Sequence, residues 1–132
     1  MVLSNKTIVV TGGGNGLGRE LALNLLNRGN NVIAFDINEA ALQETLKLTG
    51  DLKSRFSPVV VDITNQELIE GIVDKTIATF GQIDGIINNA GVIQPFTTLV
   101  NTDYSTIKRV FDINFWELYL TLHHAKFSRK IP

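Results

Sequence analysis

The sequence predicts a doubly wound α/β fold, with a parallel sheet of about four strands covered by helices on both faces. Two patterns lead to this expectation. Short β-branched runs alternate with amphipathic stretches of about 10–15 residues, which is typical of βαβ units. The strand-like runs are also continuously apolar, as expected for strands that are buried on both faces. Right-handed crossover connections then give the doubly wound arrangement.

The first helix is expected between the first two strands, over residues 16–28. Leu17, Leu21 and Leu25 recur there every four residues, which gives the helix one apolar stripe. Gly29 follows as a C-terminal cap. The four predicted strands occupy residues 7–11, 31–36, 58–62 and 83–88.

The next two helices carry recognisable end signals. Asn38 can cap the second helix, which continues to Gly50. The apolar positions of that helix are Ala41, Leu42, Thr45 and Leu46. Thr64 and Glu67 have the spacing of a capping box, with Thr64 at the N-cap. Gly81 ends this third helix.

The last predicted helix, from residue 103 to about 126, is apolar on two sides. The stripe expected to pack on the sheet contains Ile107, Val110, Phe111, Leu118 and Leu122. The opposite side contains Ile113, Trp116 and Leu120, with Tyr119 beside them. A helix that is apolar on both sides is normally buried on both sides. Residues 127–132 offer nothing to cover the second side, so we expect either a homo-oligomer formed through this helix or a further piece of chain.

The composition is that of a soluble globular protein with one domain over residues 1–132. Hydrophobic residues make up 44% and charged residues 19%, which excludes a disordered chain. The 12 basic and 13 acidic side chains give a net charge of −1, which argues against nucleic-acid partners and acidic membrane surfaces. No apolar run approaches the ~18 residues of a membrane span, and the N-terminus reads as a strand, so we expect a cytoplasmic protein. Without Cys there is no thiolate metal site, and we expect no metal.

Glycines are concentrated in the turn between the first strand and the first helix. Glycine permits positive φ and lets the backbone approach a diphosphate, while the helix N-terminus supplies free N–H groups. The alternative is a glycine-rich turn that only packs the helix on the strand. The place of this turn at the carboxyl edge of the sheet favours a ligand. The candidate cofactor-binding residues here are Gly12, Gly14, Asn15, Gly16, Leu17 and Gly18.

Asp36 ends the second predicted strand, 18 residues after Gly18. An acidic residue about 20 residues beyond the glycines binds the ribose hydroxyls of an adenosine. A carboxylate here repels a 2′-phosphate, so Asp36 favours NAD over NADP. Arg19 is the nearest basic residue that could receive such a phosphate. The alternative for Asp36 is helix capping, a role that Asn38 serves better.

Three motifs follow the first, third and fourth predicted strands. The loop itself has the pattern Gly12-x-x-x-Gly16-x-Gly18. Asp62 and Ile63 follow the third strand, and Asn88-Asn89-Ala90-Gly91 follows the fourth. Together these motifs resemble the classical short-chain dehydrogenase/reductase family, which has a Rossmann-type fold, and the resemblance covers essentially the whole chain. It implies that Asp62 and Ile63 contact the adenine, and that Asn89, Ala90 and Gly91 line the nicotinamide-ribose side. The alternative for Asn88 and Asn89 is an ordinary turn role.

Asn114 falls on the sheet-facing stripe of the last helix, between Val110, Phe111 and Leu118, where an unpaired amide would be costly. The family resemblance implies that it bends the helix and holds a water of the catalytic proton relay. The alternative is a core asparagine that is simply hydrogen-bonded.

The family's chemistry also needs a Ser, a Tyr as acid/base and a Lys four residues after the Tyr. These residues follow the family's helix asparagine, and the sequence has no such set after Asn114. Tyr104 and Lys108 have the Tyr-x-x-x-Lys spacing, but they precede Asn114 and start a helix, where they can be surface neighbours. We therefore expect a truncated chain that is C-terminally incomplete in its sheet.

Two functions follow from these residues. The first is an NAD-dependent oxidoreductase of short-chain type, present as its cofactor-binding part, with a small-molecule substrate and little or no turnover alone. The second is a non-catalytic NAD-binding module or sensor that acts through its C-terminal helix.

Overall fold

A four-stranded parallel sheet with the order β3-β2-β1-β4 forms the centre of the computed structural model, which describes residues 3–124. The strands are β1 (Thr7–Thr11), β2 (Asn31–Asp36), β3 (Phe56–Val60) and β4 (Gly85–Ile87). The connecting helices are α1 (Gly16–Asn27), α2 (Glu39–Leu48) and α3 (Gln66–Phe80). After β4 follow α4 (Tyr104–Phe111), a π-helical turn (Asp112–Trp116) and α5 (Glu117–His124). The predicted Rossmann-type α/β fold is therefore confirmed.

The core lies on both faces of the sheet because successive strand residues point to opposite faces. On one face Val10 and Val32 pack with Leu26 of α1 and Leu42 of α2. The second cluster is formed by Val9, Ile33, Phe35, Val61, Ile69, Val73 and Ile83. Helices therefore cover both faces, as the continuous apolar strands predict.

Two predicted strands have different bounds in the structure. The third runs over Phe56–Val60 and not over 58–62, because an edge strand tolerates Pro58 within it and Phe56 pairs with Val32. The fourth is shortened to Gly85–Ile87. Just before β4, the N–H of Thr7 donates to the Asp84 carboxylate at 2.8 Å. A side chain therefore takes the place of a backbone carbonyl in the pairing with β1.

The buried face of α1 is offset from the predicted stripe. Leu25 is buried, but Leu17 is 68% exposed, and Gly18, Ala22 and Leu26 complete the buried face. Gly18 packs against the loop before the helix, and this contact sets the face that is turned to the sheet.

The cap of α3 also differs from the prediction. Asn65 and not Thr64 is the N-cap, because Oδ1 of Asn65 accepts the N–H of Leu68 at 3.2 Å. Thr64 donates to Asp62 instead, at 2.7 Å from its hydroxyl. The proposed capping box is therefore wrong, while Gly81 ends the helix with φ of 82° as expected.

The last helix shows the largest departure. The π-helical turn at Asp112–Trp116 inserts an extra residue per turn, so the residues after it are rotated relative to an ideal helix. Glu117 and Thr121 are buried there, whereas Phe111 and Leu122, placed by the prediction on the sheet side, are 57% and 46% exposed. The predicted stripe is wrong for its second half, and residues 125–126 of the predicted helix lie outside the described residues.

One surface of this helix is strongly apolar. Phe115, Trp116 and Tyr119 are each about half exposed, and Trp116 contacts both neighbours edge-on. His123 stacks on Tyr119 with ring centroids 5.2 Å apart. Within residues 3–124, no helix combines the length and the apolarity needed to cross a membrane.

Candidate dinucleotide site

The glycine loop connects β1 to α1 in a conformation that requires glycine. Gly12 and Gly16 have φ of 66° and 51°, in the left-handed region. A Cβ on Gly18 would lie 2.0 Å from the carbonyl oxygen of Gly12, so only glycine lets the helix approach the loop. A Cβ on Gly16 would meet nothing within 4 Å, so the open side of the loop is at this residue.

Asp36 holds the loop from the end of β2. Its carboxylate accepts the N–H of Gly14 and the N–H of Asn38, both at 2.9 Å. Asn38 in turn caps α2 by accepting the N–H of Ala41 at 3.0 Å. The capping role thus belongs to Asn38, and the half-buried Asp36 carboxylate stands beside the loop.

Arg19 is committed to contacts inside the protein. Its guanidinium donates to the carbonyl oxygen of Gly14 and to Glu44, both at 2.7 Å, and to the hydroxyl of Thr45 at 3.1 Å. These contacts use Nε and Nη2, so Arg19 is turned toward α2 and connects the loop to that helix.

The Asn88–Gly91 segment is attached to the same loop. The hydroxyl oxygen of Thr11 accepts the N–H groups of Asn89 and Ala90, both at 3.0 Å. Nδ2 of Asn89 donates to the carbonyl oxygen of Thr11 at 3.1 Å. The structure therefore fixes this turn against the end of β1, and Asn89 has a structural role beside any contact to a ligand.

A pocket of about 470 Å³ opens along this edge of the sheet. From the predicted set it is lined by Gly12, Asp36, Asp62, Ile63 and Gly91. The other predicted residues, Gly14, Asn15, Gly16, Leu17, Gly18, Asn89 and Ala90, lie in the glycine loop, the start of α1 and the adjoining turn. Such a crevice at the carboxyl ends of parallel strands is where doubly wound folds bind ligands.

The pocket has a further wall that the sequence did not reveal. Lys108 and Arg109 of α4 and Asp112 of the π-helical turn line it opposite the strand ends. Asp112 pairs with Lys108, and this hydrogen bond raises the pKa of the Lys108 ammonium. Tyr104 is exposed at the start of α4, so the Tyr104–Lys108 pair has the surface position expected of helix neighbours.

Asn114 lies in the π-helical turn and binds the chain after β4. Its Oδ1 accepts the N–H of Val92 at 2.9 Å, and its Nδ2 donates to the carbonyl oxygen of Val92 at 2.8 Å. The side chain is hydrogen-bonded but exposed, so its placement on a buried stripe was wrong. Each amide atom keeps one further hydrogen-bonding position.

The sequence did not reveal the contribution of Glu117. Its side chain is 1% exposed, and its Oε1 has no hydrogen-bond partner. Burial raises the pKa of the carboxyl to about 7, and the Thr11 side chain lowers it by a smaller amount. Thr121, one turn later, donates to Oδ1 of Asn88 at 2.8 Å. The spacing of Asn114, Glu117 and Thr121 places three polar residues on one helix face. This spacing is the sequence pattern that could have predicted a polar contact there. In residues 3–124 no cluster of His, Cys, Asp or Glu could hold a metal ion.

Comparison with known proteins decides the family. The family model described as short chain dehydrogenase matches residues 6–126. The chain belongs to the short chain dehydrogenase family. A curated relative from Eggerthella lenta, 3beta-hydroxysteroid dehydrogenase 2, is 34% identical over 113 residues, which are 86% of this chain and 44% of that protein.

Two solved structures have the same fold as this chain. NAD⁺-bound xylitol dehydrogenase is 28% identical with a TM-score of 0.88, over 95% of this chain and 48% of that one. ElxO Y152F with NADPH bound is 24% identical with a TM-score of 0.84, over 92% and 49%. The chain thus spans about half the length of these relatives, and among them both nicotinamide cofactors occur.

Proposed function

We propose that this chain is the cofactor-binding part of a short-chain oxidoreductase and that it prefers NAD to NADP. When bound, the nicotinamide would exchange a hydride with an alcohol or carbonyl carbon of a small-molecule substrate. The protein's own part is to bind and orient the dinucleotide. The observation that carries the proposal is the shape of the glycine loop. No side chain larger than that of glycine fits at position 18, and Gly16 faces open space.

The preference for NAD rests on Asp36 and Arg19. Asp36 presents a carboxylate at the edge of the pocket, where a ribose diol could donate to it and a 2′-phosphate would be repelled. Arg19, the basic side chain nearest the loop in sequence, is already engaged by Gly14 and Glu44. A 2′-phosphate would have to compete with the Glu44 carboxylate for the charge of this guanidinium.

The remaining site residues receive roles by the family resemblance. Gly12, Gly16 and Gly18 would approach the diphosphate, together with the loop residues Gly14, Asn15 and Leu17. Asp62 and Ile63 would contact the adenine. Asn89, Ala90 and Gly91 would lie beside the nicotinamide ribose, and Asn114 would use its remaining hydrogen-bonding positions for a relay water.

We propose little or no turnover by the 132 residues alone. The Tyr-x-x-x-Lys spacing occurs only at Tyr104 and Lys108. Lys108 is paired with Asp112 and Tyr104 is exposed, so this pair does not have the arrangement of an acid/base couple. A clear steady-state rate with NAD and simple alcohols would contradict this point.

Isothermal titration with NAD⁺ and NADP⁺ tests the binding function. We expect NAD⁺ to bind at least about tenfold more tightly, since a difference of about 1.4 kcal/mol follows from one repulsive contact. Asp36→Ala should weaken NAD⁺ binding and remove most of the preference. Asp51→Asn is the matched control, because it removes one exposed carboxylate in the Gly50–Arg55 turn, away from the pocket. No binding of either dinucleotide would overturn the proposal.

A non-catalytic module is the second candidate, favoured by the exposed aromatic surface of Phe115, Trp116 and Tyr119. On this proposal the surface binds a second copy of the chain, and the cofactor regulates that contact. Light scattering with and without NAD⁺ tests it. A dimer that Trp116→Lys dissociates is expected, and a monomer at all concentrations would contradict the contact.

A further inference from the structure

One wall of the pocket at the carboxyl edge of the sheet is formed by α4 and the π-helical turn. The residues of this wall include Ser105, Lys108, Arg109 and Asp112. Lys108 is paired with Asp112, so its ammonium is held along the helix. Within residues 3–124, no hydrogen bond or ion pair engages the guanidinium of Arg109. Of the two cations that line the pocket in this part of the chain, Arg109 is therefore the one that is free to contact a ligand.

The strand order determines the direction in which a dinucleotide crosses this edge of the sheet. The order is β3-β2-β1-β4. The glycine loop follows β1, where the diphosphate would lie, and Asp36 ends β2, where it would accept from the ribose diol. The base joined to that ribose then extends outward, toward the end of β3. The pocket continues past Asp36 to Val61 and Ile63, so the base would lie in this part of it.

This part of the pocket combines apolar residues with one planar cation. Ile37, Val61 and Ile63 line it from the ends of β2 and β3, and Arg109 lines it from α4. Ile37 is 71% exposed, so a ligand that covers it removes apolar surface from water. The guanidinium of arginine is planar and stacks on aromatic faces, and nucleic-acid bases are bound in this way by other proteins. The combination therefore fits a flat aromatic base.

We propose that Arg109 is a specificity-determining residue of this pocket, whose guanidinium stacks on the purine base of an adenine nucleotide. Ile37 and Ile63 contact one face of the ring, and the guanidinium covers the other face. The ligand class is an adenosine 5′-phosphate, either alone or as one half of a dinucleotide. The proposal rests on the proposed function, because it names the group that recognises one half of the same cofactor.

Proton NMR of the Arg109 side chain during titration with AMP tests the contact directly. We expect the δ-methylene protons of Arg109 to move upfield, because a group stacked on an aromatic ring is shielded by the ring current. The signals are assigned as those that Arg109→Lys removes. Ribose 5-phosphate has the same sugar and phosphate without the base, and it should leave these protons unmoved. The absence of a shift with AMP, or an equal shift with ribose 5-phosphate, would overturn the proposal.

Isothermal titration of the full chain measures the effect on affinity. Arg109→Ala should weaken the binding of AMP and of NAD⁺ by the same factor, about fivefold, which is typical of one partly exposed cation–π contact. Arg109→Lys keeps the charge but loses the planar group, so it should recover only part of the affinity. Full recovery with lysine would show that the charge alone acts, and this result would contradict stacking.

Arg55→Ala is the matched control. It removes one exposed guanidinium directly before β3, at the opposite edge of the sheet, and should leave the affinity for NAD⁺ unchanged. An equal loss with this variant would assign the effect to net charge and overturn the role of Arg109. If the wild type binds neither AMP nor NAD⁺, the proposed function fails and this proposal fails with it. If Arg109→Ala binds NAD⁺ as tightly as the wild type does, the proposed function stands and only the role of Arg109 is wrong.

Discussion

The glycine loop and the C-terminal arm (residues 104–124) meet at one edge of the sheet but are stabilised very differently. In the loop, the Asp36 carboxylate and the Arg19 guanidinium have hydrogen-bond partners within the fold. In the arm, Phe115 and Trp116 are about half exposed, and the buried Glu117 keeps an oxygen without a partner. The difference is that the polar side chains of the loop have partners within the fold, whereas the arm leaves apolar surface exposed and one buried oxygen without a partner.

The largest expected effect breaks the loop. Gly18→Ala places a Cβ 2.0 Å from the carbonyl oxygen of Gly12, so helix and loop must separate. An overpacking cost of about 3 kcal/mol corresponds to a loss of roughly 100-fold in NAD⁺ affinity. Isothermal titration measures this loss. Gly71→Ala is the control, because nothing lies within 4 Å of its Cβ and a helical alanine should stabilise the protein by about 0.5–1 kcal/mol.

The second prediction compares the loss of stability caused by a substitution in the core beside α1 with that caused by a substitution on the exposed surface of the arm. Leu26→Ala removes a fully buried side chain and should lower the free energy of unfolding by about 2–5 kcal/mol. Phe115→Ala, at a half-exposed position, should change it by no more than about 0.5 kcal/mol. Urea denaturation measures both. A large cost for Phe115→Ala would mean that the arm is already covered in solution.

The third effect concerns the protonation of Glu117. Burial raises its pKa from 4.5 to about 7, so the folded chain binds this proton more tightly than the unfolded chain. The resulting stabilisation is complete below pH 4.5 and is lost as the pH rises through 7. It amounts to about 3 kcal/mol. The difference in unfolding free energy between wild type and Glu117→Gln should change by about 2.5 kcal/mol between pH 5 and pH 8, which is the part of this stabilisation lost over that interval. An unchanged difference would show that Glu117 is not buried in solution.

The sequence predicted the loop better than the arm, for physical reasons. Gly12, Asp36 and Asn38 act through contacts set by local turn geometry and by the strand ends, which leave a pattern in the sequence. The face of α5 depends on the π-helical turn, and that turn is held by the contact of Asn114 with Val92, which is remote in sequence. A prediction from regular helical periodicity does not include the extra residue of a π-helical turn. The sequence analysis therefore missed the burial of Glu117 and Thr121.

The same argument explains the smaller differences. Leu17 fits a stripe with Leu21 and Leu25, but the close approach of Gly18 to Gly12 rotates α1 and leaves Leu17 exposed. Thr64 fits a capping box, but it is already bound to Asp62 and leaves the cap to Asn65. In both cases a contact between elements outweighed a local preference.

The most direct test of this account is an NMR titration of the 132-residue chain with NAD⁺. The account predicts that the largest amide shifts occur at Gly14, Gly16, Asp36 and Ala90, and that Phe115 and Tyr119 remain unmoved. Shifts confined to the aromatic surface of α5, or no shifts at all, would contradict the assignment of the loop as the nucleotide site.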